Sequence, residues 1–289
     1  MKYIYKIIFL SFLVFSTNLI LTNDSKAACA VDADGAITVV AANAGCEDEP
    51  TSYGVTIFKL LLCTANPTAP IIAAVADLSD CTTVFENPTG SAVDLSPGAS
   101  LNLGGTQTLP SIGVYTHGVV QMNNTFEITA KKEFEIAFDG LGAGGAPNGN
   151  GVFCATITAA DSAETGVAAT DRSVCGNNTI TAGTLTETLT SFDSGIGAAF
   201  DANATVNNVG GTGADITAYL IDTNEFLAFN DADVDNLLGV VEFANPTNIT
   251  AATTNIDISF FVTEGMSVNN GGGQIFFGSG PFGAIVTAN

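Results

Sequence analysis

The 289-residue chain carries 7 Lys and Arg against 29 Asp and Glu, a formal net charge of −22, with 31 glycines and no tryptophan. A surface this acidic repels nucleic acid and anionic membrane, which excludes both as partners. Hydrophobic residues make up 46% of the chain and the acids are scattered singly, so it has material for a core and is not an acidic disordered segment.

Residues 1–27 carry Lys2 and Lys6, the apolar run IIFLSFLVF, and then Ser25-Lys26-Ala27. A positive start, a short apolar stretch and a small-x-small end predict a secretory signal peptide. Ser16, Thr17 and Asn18 interrupt the run, which argues against a stable membrane span. Cys29 also stands where a lipidated cysteine would, although Lys26 occupies a position that is aliphatic in such signals. Without residues 1–27 the chain keeps four basic and 28 acidic side chains, a net charge near −24.

Six cysteines form three sequence-adjacent pairs: Cys29 and Cys46, Cys63 and Cys81, Cys154 and Cys175. Nearest-neighbour pairing is one of 15 connectivities. Short C-x-x-C pairs, the usual mark of a zinc site, are missing. An exported chain with an even cysteine count belongs in an oxidising compartment.

Residues 53–63 read as a strand that is apolar on both faces, with Val55, Ile57, Lys59, Leu61 and Cys63 on one side and Thr56, Phe58, Leu60 and Leu62 on the other. A polar, proline-bearing excursion follows, then a second strand after Cys81. A disulfide closing that 18-residue loop is worth roughly 3 kcal/mol in the loop-entropy model. Lys59 is the one cation in the first strand, so it either snorkels at an edge or meets an acid.

Short strands follow over 84–103, broken at Asn87-Pro88 and Ser96-Pro97-Gly98, then over 113–122 and 125–138, with Asn123-Asn124 as a hairpin turn. GLGAGGAPNGNG, residues 140–151, reads as a linker between a domain at 28–139 and one at 152–289. Its glycines 140, 142 and 145 match G-x-G-x-x-G, but Pro147, Gly149 and Gly151 deny the helix a dinucleotide site requires. Beyond it, strands are expected at 152–158, 179–190, 204–209, 216–221, 226–229, 256–263, 274–277 and 284–287. The only helix expected is a short one over 230–243. The class is therefore an all-β sandwich in two domains.

Asp231, Asp233, Asp235 and Glu242 fall at positions 1, 3, 5 and 12 of a calcium-loop spacing. Asn236 replaces the usual glycine, and Val234, Leu237, Leu238 and Val241 at i, i+3, i+4 and i+7 describe a capped amphipathic helix instead. His117, the only histidine, has no nucleophile turn near it in sequence, so no catalytic residue is assigned.

YGVTIFKLLLCT, LSDCTTVF, VDL and GVYTH, within residues 50–130, resemble a group of uncharacterised exported proteins of marine proteobacteria. The resemblance implies an immunoglobulin-like or transthyretin-like β-sandwich in which the Tyr115 hydroxyl ties a corner. It brings no catalytic residue.

The functional expectation is a non-enzymatic, secreted structural or adhesive protein of the cell surface. Copies would join into a filament by strand addition through residues 36–42 or 275–287. The alternative is a calcium-dependent or glycan-binding extracellular module. Glycan binding has little aromatic platform to use, since Tyr53, Tyr115 and Tyr219 are the tyrosines after residue 27.

Overall fold

A computed structural model describes residues 27–38, 40–95, 103–162, 171–192 and 199–289. Residues 1–26 of the expected signal peptide lie outside these, as does the break expected at Ser96-Pro97-Gly98. The first strands are β1 (Ala44–Asp48), β2 (Ser52–Cys63), β3 (Cys81–Asp94), β4 (Thr106–Gln107), β5 (Gly113–Asn123) and β6 (Thr125–Thr129). Then come β7 (Lys131–Leu141), β8 (Pro147–Thr156), β9 (Ala159–Ser162), β10 (Ser173–Gly176), β11 (Leu185–Thr188) and β12 (Asn203–Val206). The last are β13 (Asp215–Ile221), β14 (Asn236–Ile249), β15 (Ile256–Phe261), β16 (Met266–Asn270), β17 (Gln274–Ser279) and β18 (Gly283–Ala288). Among the described residues, helix is confined to single 3-10 turns at Ala143–Gly145, Val209–Gly211 and Asp231–Asp233. The fold is all-β, a sandwich of a ten-stranded and a six-stranded sheet with a two-stranded β15–β18 ribbon beside them.

β2 is the centre of the larger sheet. β3 runs along one side of it, and β5 continued by β6 runs along the other. Asn123-Asn124 is therefore a kink in one long strand pair-edge and not the expected hairpin turn: Met122 lies opposite Ile57 and Glu127 opposite Gly54, both on β2. β14, β13 and β12 extend the sheet beyond β5, and β11 and β9 extend it beyond β6.

A bulge between Ile57 and Lys59 shifts the register of β2 against both neighbours. An extra residue flips every later side chain to the other face. Tyr53, Val55 and Ile57 enter the main core, and after the bulge Leu60 and Leu62 do so instead of Leu61 and Cys63. The single alternation expected for 53–63 is thereby corrected. Lys59 leaves the apolar face and pairs with Glu86, directly opposite on β3, at 3.3 Å. On β3 the matching irregularity is residues 87–90: the Asn87 amide donates to the carbonyls of Gly90 and Gly104, and Gly90 takes a φ of 80°. The break expected at Asn87-Pro88 is thus a bulge within one strand.

The six-stranded sheet runs β1-β16-β17-β7-β8-β10, with β17 and β7 parallel. It overturns the linker at 140–151. Gly140 and Leu141 end β7, Pro147–Gly151 begin β8, and the two strands form an antiparallel pair. The glycines are there because neighbouring backbones leave no room for side chains: a Cβ on Gly140, Gly149 or Gly151 would overlap backbone oxygens of Asn148, Cys175 or Gly176. Both sheets draw strands from before and after this stretch, and one core runs from Ile37 to Phe282. Residues 28–139 and 152–289 consequently do not form separate cores.

The expected helix over 230–243 is also corrected. Asn230 does cap a turn, its side chain accepting from the Ala232 N–H, but the turn ends at Asp233 and β14 follows. Leu237, Leu238, Gly239, Val240 and Val241 are all buried because β14 is covered on both faces. A doubly covered strand carries apolar residues at every position, helix-spaced ones included. Pro246 falls in the β14 bulge between Glu242 and Thr247, where no ladder hydrogen bond is needed. Residues 226–229 form a loop, while β1 and β16, which the sequence did not announce, complete the smaller sheet.

Candidate functional site

All three disulfides join nearest neighbours, Cys29–Cys46, Cys63–Cys81 and Cys154–Cys175. The last two link residues directly opposite each other, on β2 and β3 and on β8 and β10. Among the described residues no helix is long and apolar enough to cross a membrane. Tyr115 is buried and donates its hydroxyl to the Ser111 carbonyl at 2.9 Å, tying the chain before β5 to its start.

The excursion between Cys63 and Cys81 folds over the outer face of the large sheet. Its base is held by the Thr64 N–H to the Asp80 carbonyl and by Asp77 with Thr68. Ala76 and Leu78 seal a small cluster of Leu61, Cys63, Val119, Leu238 and Val240. Its tip is a tight turn, with Ile71 and Ala74 exchanging backbone hydrogen bonds. Ile71, Ile72 and Val75 remain 59%, 58% and 48% exposed. The Leu227 N–H binds the Ile71 carbonyl, and Phe229, two residues on, is also exposed. Residues 64–76 carry no charge, so this apolar crown is a neutral island on a strongly acidic molecule. The excursion, expected to be polar, is apolar at its tip.

A second feature lies between the sheets. A cavity of about 650 Å³ is bounded on one side by Val120, Met122 and Leu237 and on the other by Ser267, Asn269 and Phe276. At one end Arg172 and Glu187 form an ion pair with side chains only 8% and 4% exposed. Glu187 also accepts from the Ser279 N–H, and the Arg172 guanidinium lies over the Phe276 ring. Burial, assisted by the Glu187 carboxylate, pushes the Tyr53 phenol well above its usual pKa, and its hydroxyl donates to the Gly280 carbonyl at 3.0 Å. Arg172 is the chain's only arginine, a signal the sequence offered and the sequence reading passed over.

The four carboxylates of the calcium spacing are not brought together. Asp231 and Asp233 flank the 3-10 turn, where the Asn230 amide donates to Asp233; Asp235 accepts from the Asn236 amide; Glu242 lies on β14 opposite His117 and Asp215. Six residues of β14 separate Asp235 from Glu242 by roughly 20 Å. Among the described residues no three metal-ligating side chains gather. His117 is buried in β5 with Nδ1 2.8 Å from the Thr116 hydroxyl; burial lowers its pKa against the opposing pull of Glu242.

Asp235 and Asn236 instead border a polar groove with Phe58, Gln121, Asn123 and Glu225. No family model, curated protein or solved structure matches the chain.

Proposed function

We propose that the protein is an exported, non-catalytic structural or adhesive component of the cell exterior, and that copies of it associate through the apolar crown at Ile71, Ile72 and Val75. The observation that carries this reading is the exposure of three large aliphatic side chains on a loop anchored by a disulfide at both ends. Exposed apolar patches on acidic, exported proteins are kept for contact. Like-charge repulsion between two copies is weakest where the chain is uncharged, over residues 64–76. A crown-to-crown contact is self-complementary and closes as a pair.

Filament growth by strand addition asks more of the molecule. Ile37 and Val40, from residues 36–42, are buried in the main core, and β18 is paired with β15 along its length. Either segment would have to leave its own fold before joining a neighbour. Light scattering on oxidised residues 28–289 over a concentration series, followed by electron microscopy, tests the reading. Association that vanishes in the Ile71→Ser, Ile72→Ser, Val75→Ser variant supports it. A monomer at every concentration, or association indifferent to the three serines, refutes it.

The second reading, glycan binding, rests on the groove lined by Phe58, Asn123, Gln121 and Glu225, the last two joined by a hydrogen bond from the Gln121 amide to the Glu225 carboxylate. Aromatic faces with planar polar groups suit sugar rings. Retention on an immobilised polysaccharide that is lost in Phe58→Ala would favour it over self-association.

A further inference from the structure

Protein interiors are close-packed, and voids much larger than one water are few. The space between these sheets, about 650 Å³, is far larger than one water needs. Small residues line it: Ala204 and Ala218 on β12 and β13, Gly239 on β14 and Gly278 on β17. A larger side chain at Ala204 or Ala218 would project into it. Much of the wall is aliphatic or aromatic, including Met122, Phe126, Leu189 and Phe192, and gives water few partners.

Ser267 and the buried ion pair meet around Gly278, while Asn269 and Gln274 line the wall further along β16 and β17. A Cβ placed on Gly278 would lie 3.0 Å from the Ser267 hydroxyl and 3.2 Å from a Glu187 oxygen, which shows how closely these groups meet there. Arg172 is paired to the same Glu187. Among the described residues, the charged side chains along the wall are Arg172, Glu187 and Glu47, one cation against two acids. The cavity thus has the size of a small-molecule site, a largely apolar wall and one buried ion-pair cluster, with no excess positive charge among the described residues.

We propose that this cavity binds an uncharged amphiphile: a hydrocarbon body between the sheets and a hydroxyl, ester or amide head beside Ser267 and the Arg172–Glu187 pair. A free carboxylate is disfavoured, because Glu47 and Glu187 outnumber Arg172. This site is separate from the crown and does not depend on self-association.

The test is calorimetric titration of oxidised residues 28–289 with monodecanoyl glycerol and, in parallel, with decanoate, both below their micelle-forming concentrations. The expected result is saturable binding of one glyceride per chain, with decanoate at least about tenfold weaker, the discrimination that 1.4 kcal/mol provides. Filling the void by Ala218→Phe should abolish binding without lowering the melting temperature; Ala204→Leu does the same if the first variant fails to fold. The Ile71→Ser crown variant should bind normally. No saturable binding by the folded protein, equal or tighter binding of decanoate, or unchanged binding in a folded filled variant would each overturn the proposal.

Discussion

The two faces of the ten-stranded sheet solve the same problem differently. On the outer face, Leu61, Cys63, Val119, Leu238 and Val240 are sealed by a loop of the chain itself, stapled at its ends by Cys63–Cys81. On the inner face, Leu60, Leu62, Val120, Met122 and Leu237 meet a second sheet, yet a guest-sized space and a buried ion pair remain. A staple forces a short loop into close contact with the surface below it. Two sheets held about 10 Å apart by their larger side chains leave a gap wherever alanine or glycine replaces them.

The largest test of this contrast concerns the ion pair. Glu187→Ala would break a buried ion pair by removing one partner and should cost about 3–5 kcal/mol in urea unfolding. Replacing both partners with methionine should recover much of that loss. Next come matched truncations on the two faces. Leu61→Ala on the sealed side should cost about 3–4 kcal/mol and Leu237→Ala beside the cavity about 2–3, since a side chain already bordering empty space loses fewer contacts. Equal costs would mean that the inner face is as tightly packed as the outer.

Removing the staple by Cys63→Ala with Cys81→Ala should cost roughly 3 kcal/mol and loosen the crown without unfolding the inner core. A smaller effect is carried by His117, whose folded pKa lies below the usual 6.5 because it is buried. The unfolded chain therefore takes up this proton first, so the His117 contribution is fully present above pH 6.5 and is lost as pH falls toward the folded value. A His117→Gln variant should show a flatter acid limb in unfolding free energy against pH. The half-exposed Lys59–Glu86 pair should matter least, with Glu86→Gln costing under about 1 kcal/mol.

The outer face was far more legible in the sequence than the inner. Cys63, Cys81 and the doubly apolar strand between residues 53 and 63 announced a covered sheet, because cysteine spacing and β-branched content are local signals. The β2 bulge was not legible: nothing local to Phe58 and Lys59 marks an extra residue, and the phase change emerges only from pairing with β3 and β5. β14 misled because complete burial erases alternation, leaving Leu237, Leu238 and Val241 free to match a helix. The glycines of 140–151 misled for a related reason. Close backbone approach between β7, β8 and β10 demands glycine as strongly as a linker tolerates it. Of the candidate sites, the crown was hidden by the polar and proline residues around it, although Ile71-Ile72 stand inside that loop. The Arg172–Glu187 pair was visible only as a lone arginine, since its partner comes from another strand.

Hydrogen–deuterium exchange on oxidised residues 28–289, compared between dilute and concentrated solutions, tests the central claim most directly. Association through the crown predicts concentration-dependent protection confined to residues 66–77 and the neighbouring 227–229. Protection that instead appears, or is lost, over residues 36–42 or 275–287 would mean that terminal strands make the contact and would contradict the account.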